Sequence, residues 1–143
     1  MQVIFSVDEE KLKSLAHTLG IENHVTFAGK TSQVVEKIKH AKVFAFSSDF
    51  EGMPNVLLEA LSAGVPVVTT DFSPGGAYEL IENKGRGYVV PSGDAQKLAD
   101  KIQNVLNDKV TAKKMAEKAR EACGEYSEEA IFQKWEEYLL NYI

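Results

Sequence analysis

Glu51 and Glu59 stand at either end of the stretch Glu51-Gly52-Met53-Pro54-Asn55-Val56-Leu57-Leu58-Glu59. Two carboxylates presented from a loop and from the helix that follows it can accept hydrogen bonds from several hydroxyls of one ligand. Pro54 suits the first turn of a helix, where its missing N–H costs nothing. That placement leaves Glu51 on the approach loop and carries Glu59 about two turns into the helix. Both can then face one cleft. Glu59 also interrupts Val56-Leu57-Leu58-Glu59-Ala60-Leu61, a run apolar enough to be buried. Carboxylates are rarely buried unless paired or hydrogen-bonded, so Glu59 is expected to have a partner, and a ligand hydroxyl would serve.

The surrounding pattern explains how such a loop is held. Val3-Ile4-Phe5-Ser6, Val25-Thr26-Phe27, Val43-Phe44-Ala45-Phe46, Val65-Pro66-Val67-Val68-Thr69-Thr70 and Gly87-Tyr88-Val89-Val90 read as short strands. Helical spacing separates them. Asp8 is placed to cap a helix presenting Leu12, Leu15, Ala16 and Leu19 on one face and ended by Gly20. Thr31 is placed to cap a second helix running through His40. The glutamate helix lies between the third and fourth strands, and a short helix through Ile81 follows the turn Asp71-Phe72-Ser73-Pro74-Gly75-Gly76. Strands alternating with helices, over connections too long for hairpins, give an α/β fold: a single Rossmann-like, doubly wound parallel sheet with helices on both faces. From Asp94 the chain reads as helix only, in segments to about Leu106, from Thr111 to about Cys123, and from Ser127 to Tyr142. In the last, Ile131, Trp135, Tyr138 and Leu139 fall at helical spacing and are expected in the core, the alternative being a partner-binding face.

Composition narrows the function classes. A chain of 143 residues, 44% hydrophobic and without an apolar run of membrane-spanning length, is the size of one compact domain. A net charge of −5 argues against nucleic acid, and Lys113-Lys114 and the pair Lys37 and Lys39 read as solvated helix faces. The one cysteine, Cys123, cannot form an internal disulfide and is expected to pack rather than react. Without a signal peptide or a zinc spacing, a reducing, cytoplasmic location is expected.

In an open α/β sheet, ligands sit outside the carboxyl ends of the strands. Three loops qualify: Ala28-Gly29-Lys30-Thr31, the glutamate loop, and Ser73-Pro74-Gly75-Gly76. The second and third join glycine to a helix start, where free N–H groups and the positive end of the helix dipole attract phosphate. A diphosphate ligand fits that pattern, although the third loop read alone is equally a plain turn before a helix. Neither a Walker A pattern nor a Gly-x-Gly-x-x-Gly run is present. Asn55 is equally a helix cap, and Glu79 equally a residue that favours a helix start.

The segment from Ser47 through Val68, with Gly-Met-Pro after Glu51, Glu59-Ala60 after two leucines, and Gly64-Val65-Pro66-Val67-Val68 downstream, closely resembles the donor-site signature of retaining, nucleotide-sugar-dependent glycosyltransferases of GT-B architecture, the group 1 type. The similarity continues through Gly75-Gly76-Ala77-Tyr78-Glu79-Leu80-Ile81 and through Gly85-Arg86-Gly87-Tyr88-Val89-Val90-Pro91-Ser92-Gly93-Asp94. It implies that residues 1–143 are the C-terminal, nucleotide-sugar (donor) binding half of a GT-B fold, the N-terminal acceptor domain being absent from this chain. By the same resemblance Glu51 is the catalytic-site acid that meets donor-sugar hydroxyls, and Glu59 binds ribose hydroxyls. Gly52, Met53, Pro54 and Asn55 cradle the diphosphate, helped by Gly75 and Gly76, and Gly29 and Lys30 lie near the base.

The resemblance further implies transfer of a hexosyl unit from a UDP- or GDP-sugar to a glycan or lipid-linked acceptor, in building a polysaccharide. The nucleotide sugar is a substrate; no cofactor is implied, and no metal, since Asp-x-Asp does not occur. Membrane association would arise only through the parent enzyme. Two departures stand out. The Arg and Lys that members commonly bring to the diphosphate belong upstream of Met1, and Ser6-Val7-Asp8-Glu9-Glu10 replaces a glycine-rich loop. A piece of a longer chain is the expected reason. The alternatives are a GT-B sugar-nucleotide epimerase and a non-catalytic nucleotide-binding module.

Overall fold

A computed structural model describes residues 2–4, 8–72 and 76–141, which fall into two compact units, Met1–Gln33 and Val34–Ile143. In the first unit, β1 (Gln2–Ile4) pairs in parallel with β2 (Val25–Phe27), Gln2 opposite Val25 and Ile4 opposite Phe27. Helix α1 (Glu9–Thr18) and a 3₁₀ turn (Glu22–His24) connect them. The expected first strand, Val3–Ser6, lies partly outside the described residues. Gly20, at φ +65°, ends α1 in the left-handed conformation that glycine adopts without penalty. Ala16 of the predicted apolar stripe is buried, but Leu15 and Leu19 are 52% and 60% exposed. A two-stranded ladder offers too little surface within this unit to cover the whole stripe.

The second unit contains α2 (Val34–Ile38), β3 (Phe44–Phe46), α3 (Asn55–Ser62), β4 (Val67–Thr70), a π-helical turn (Tyr78–Glu82) and β5 (Gly87–Val90). Three helices complete it: α4 (Ala95–Asn107), α5 (Lys109–Glu125) and α6 (Glu128–Leu140). The strands form a parallel sheet in the order β3-β4-β5, with Ala45 opposite Val68 and Val68 opposite Tyr88. The parallel α/β architecture expected from the sequence is thus present, its strands hydrogen-bonded as a two-stranded and a three-stranded ladder. Helix α2 is shorter than the expected Thr31–His40. The Thr31 hydroxyl accepts from the Gln33 amide at 3.0 Å, a local turn that competes with capping.

Every residue of β4 is buried, as expected of a central strand covered on both faces. Val68 packs with Val105 of α4 and Met115 of α5, and Tyr88, Leu98 and Ile102 close around them. Successive crossovers in one direction place α3 and the π turn together on the opposite face by the right-handed rule. There Leu57, Ala60, Leu61, Leu80 and Ile81 are all buried. The outer edge of β5 is blunted by Glu82, whose carboxylate accepts the Val89 amide at 3.0 Å.

Arg86 precedes β5 and is only 1% exposed. Its Nη1 donates to the Leu80 carbonyl at 3.1 Å, its Nε to the Lys118 carbonyl at 3.3 Å, and its Nη2 to Glu125 Oε1 at 2.5 Å. Gly87, the next residue, has no room for a side chain: a Cβ there would lie 1.7 Å from the Val67 carbonyl oxygen. Side-chain caps start the last three helices. Asp94 accepts from the Lys97 amide, Asp108 from Val110 and Thr111, and Ser127 from Ala130.

Two packing expectations are corrected. Helix α6 buries none of its residues within this chain, and Trp135, Tyr138 and Leu139 are 60%, 54% and 54% exposed. Helical spacing records an amphipathic face, not what covers it. Cys123 is also exposed, its thiol reaching the Ser62 carbonyl at 4.0 Å. No helix among the described residues is long and apolar enough to cross a membrane.

Gly87→Ala is expected to destabilise the second unit by about 3 kcal/mol or more, since backbone rather than a flexible side chain fills the space; urea denaturation measures it, and a loss below 1 kcal/mol would contradict the close approach. Burial of Glu125 raises its carboxyl pKa, but the hydrogen bond and charge of Arg86, with Lys84, bring it below the ordinary carboxylate value. A depressed folded-state value contributes stability that is complete above the unfolded pKa, about 4.3, and lost as pH falls through the folded value. Glu125→Gln is therefore expected to cost about 1–3 kcal/mol at pH 7 and to flatten the decline below pH 4.3. Denaturation curves from pH 7 to pH 3 check both.

Candidate functional site

Because β3, β4 and β5 are parallel and adjacent, the loops that follow them leave one edge of the sheet. Polar contacts tie these loops together. Thr70, the last residue of β4 and 5% exposed, accepts from the Ser48 amide at 2.9 Å and donates to the Ser48 carbonyl at 2.6 Å. Asp49 accepts a short hydrogen bond from the Ser92 hydroxyl in the loop after β5. The Asp71 amide donates to the Val90 carbonyl at 2.7 Å. The loop carrying Glu51 is therefore tied to the end of β4 and to the loop after β5.

Glu51 is half-buried on this loop, and its Oε1 accepts from the Ser48 hydroxyl at 3.0 Å. Gly52, Met53 and Asn55 are exposed, while Pro54 is buried beneath them. Pro54 occupies the N-cap position of α3, with extended φ −72° and ψ 109°, rather than its first turn. Asn55 is the first helical residue and makes no capping bond, so the capping reading of Asn55 does not hold. Glu59 lies just over one turn into α3 rather than two, on a half-buried face. Among the described residues its carboxylate has no hydrogen bond or ion pair; its backbone carbonyl accepts from Ser62 and Ala63.

The start of α3 differs from those of α4, α5 and α6. Proline has no side-chain oxygen with which to cap, whereas Asp94, Asp108 and Ser127 cap the other three; like α4 and α5, α3 has no acid in its first turn. An uncapped helix start on an exposed surface keeps its orphan N–H groups and the positive end of its dipole available to an anion. Nearby, Asp71 has one buried carboxylate oxygen without a hydrogen-bond donor among the described residues. Gly76, exposed, leaves the same sheet edge after β4, and Gly75 lies outside the described residues. Glu79 accepts from Asn83 at 3.0 Å on the exposed side of the π turn. In the first unit, Gly29 follows β2 at φ +62° and Lys30 is exposed.

Ser48, Thr70, Asp71 and Ser92 were not singled out from the sequence. The available signal was positional: Ser47-Ser48-Asp49 and Thr69-Thr70 are polar residues at the ends of apolar strands, where ligand loops begin. A cavity of about 370 Å³ lies at the other edge, lined by Lys39, His40, Lys42, Gly64 and Arg120. Helices α2 and α3 end there, and cations near helix C-termini are favourable, which accounts for that basic lining. Among the described residues no group of three or more His, Cys, Asp or Glu could hold a metal ion.

Comparison with known proteins adds identity to this geometry. The family model for glycosyl transferases group 1 matches residues 6–122. An uncharacterized glycosyltransferase of Haemophilus influenzae is 30% identical over 128 residues, covering 90% of this chain and 36% of that protein. HepE of Anabaena, solved in complex with UDP, superposes with a TM-score of 0.84 at 26% identity, over 97% of this chain and 40% of that one. TarM of S. aureus, solved with fondaparinux, α-GlcNAc-glycerol and UDP, gives 0.81 at 29% identity, over 93% of this chain and 27% of that one. The fold is that of the C-terminal half of GT-B enzymes, and the chain spans well under half the length of each of these proteins. The chain belongs to the glycosyl transferases group 1 family.

Proposed function

We propose that residues 1–143 are the donor-binding half of a retaining glycosyltransferase that uses a UDP- or GDP-sugar and serves polysaccharide synthesis. The observation that carries this reading is the uncapped, acid-free start of α3, exposed at the carboxyl edge of a parallel sheet with a carboxylate on either side of it. The diphosphate takes the place of the missing cap, against the amides of Gly52, Met53 and Asn55. Charge that develops on the leaving phosphate during glycosyl transfer is stabilised there by fixed dipoles.

Glu59 receives the ribose hydroxyls. Its carboxylate lacks a partner within the described chain, as an acceptor waiting for a ligand would. Glu51 receives hydroxyls of the sugar. Gly75 and Gly76 complete the phosphate contacts. The acceptor, a glycan or a lipid-linked sugar, comes from a domain outside these residues. Similarity to proteins solved with UDP supports the nucleotide.

Two sets of variants test this assignment by calorimetry on the enzyme that carries this chain. Glu59→Gln is expected to weaken UDP or GDP itself by about 1.5–3 kcal/mol, whereas Glu51→Gln spares the nucleotide and weakens the nucleotide sugar or its turnover. Equal losses for both ligands in both variants would refute the division of roles. Asn55→Asp places an acid in the first turn of α3, so it is expected to stabilise the fold by about 0.3–1 kcal/mol while weakening diphosphate binding. Opposite signs from one substitution separate an anion site from a merely uncapped helix; unchanged nucleotide affinity would remove the diphosphate from α3.

A further inference from the structure

Glu51 can discriminate among hydroxyls only if its carboxylate is held still, because a free glutamate side chain samples several rotamers. The hydrogen bonds around it form a chain that starts in the core. Thr70 is 5% exposed, and its single hydroxyl engages both backbone polar groups of Ser48, accepting from the amide at 2.9 Å and donating to the carbonyl at 2.6 Å. Two bonds from one buried atom fix both peptide planes that flank Ser48. The side chain of Ser48 then starts from a set position.

The Ser48 hydroxyl has one proton and two acceptors within reach: Glu51 Oε1 at 3.0 Å and the Phe50 carbonyl at 3.4 Å. The nearer acceptor is the carboxyl oxygen, so the proton goes to Glu51. On the far side, the Asp49 bond to Ser92 holds the next residue of the loop to the segment after β5. We infer that Ser48 is a positioning residue: it fixes Glu51 through Oε1, leaves Oε2 to accept from the ligand, and is itself set by the buried Thr70 hydroxyl. This inference rests on the reading of Glu51 as the acid that meets the donor sugar, but its first test does not.

That test uses the 143-residue chain without ligand and reads the Glu51 side-chain rotamer from three-bond NMR couplings. Wild type is expected to show one staggered rotamer, Ser48→Ala averaged couplings, and Ser48→Thr, which keeps the hydroxyl, the wild-type values. Averaged couplings in wild type, or unchanged couplings in Ser48→Ala, would overturn the inference. Thr70→Val should average the same couplings with Ser48 intact; if they stay fixed, Thr70 is not the anchor.

The second arm compares UDP with UDP-glucose, and GDP with GDP-mannose, by calorimetry on the enzyme that carries this chain. Ser48→Ala is expected to reduce the affinity gained from the sugar roughly 3–10-fold and to leave the nucleotide alone unchanged, with recovery in Ser48→Thr. If Glu51→Gln removes that gain and Ser48→Ala does not, positioning by Ser48 is refuted while the role of Glu51 stands. If Glu51→Gln leaves the gain intact, the sugar-binding reading of Glu51 fails, and the coupling measurement decides on Ser48 alone.

Discussion

Removing a guanidinium from water costs several kcal/mol unless its protons find acceptors, and Arg86, at 1% exposure, has been removed almost completely. Its acceptors come from three places: the Leu80 carbonyl in the π turn, the Lys118 carbonyl within α5, and the Glu125 carboxylate at the end of α5. No one of these acceptors can shift without leaving part of a buried guanidinium unsatisfied. The pair adds little to stability beyond what an apolar cluster of equal volume would give, so its contribution is geometric. It sets where β5 begins. With β5 set, Gly87 meets the Val67 carbonyl, where a side chain could not fit, and β4 lies at its observed register.

Register at one end of a strand decides position at the other. The alignment that puts Val67 beside Gly87 also puts Thr70 beside Val90, at the carboxyl edge. From there Thr70 reaches Ser48, and Asp71 reaches Val90. The loop that carries Glu51 is thus held through a buried residue of β4, which is how a loop gains the stiffness of the sheet beneath it. The buried ion pair and the candidate site stand at opposite ends of the same strands, joined by the ladder.

Much of this could be read from the residues. Val25-Thr26-Phe27 and Gly87-Tyr88-Val89-Val90 are strands as expected, because β-branched and aromatic runs bounded by turns have few other uses. The chain from Asp94 onward forms three helices as expected, and Asp94 and Ser127 cap the first and last of them. Local chemistry is legible locally. Pairings between distant residues are not. Arg86 and Glu125 lie 39 positions apart, and Ser48 and Thr70 lie 22 apart, so no spacing rule links them. Trp135, Tyr138 and Leu139 failed as core residues for a related reason: periodicity defines a face, and coverage depends on what else is present. Pro54 fell one position outside its expected place because both the N-cap and the first turn accept a proline φ.

If the start of α3 binds the diphosphate as proposed, the position of Glu59 within α3 balances two electrostatic demands. A carboxylate in the first turn would act as an internal counter-ion to the helix dipole, and the start of α3 would then repel the phosphate it is proposed to bind. A carboxylate far along the helix would be out of reach of the same ligand. Glu59 is the fifth residue of α3, and at about 1.5 Å of rise per residue it stands about 6 Å along the axis from Asn55. That is past the turn where the dipole is concentrated. It is also within the span of a nucleotide whose phosphates sit at the helix start and whose ribose lies alongside. On the proposed reading, the four-residue step from Asn55 to Glu59 separates, along one helix, a place for negative charge from a place for hydroxyl donors.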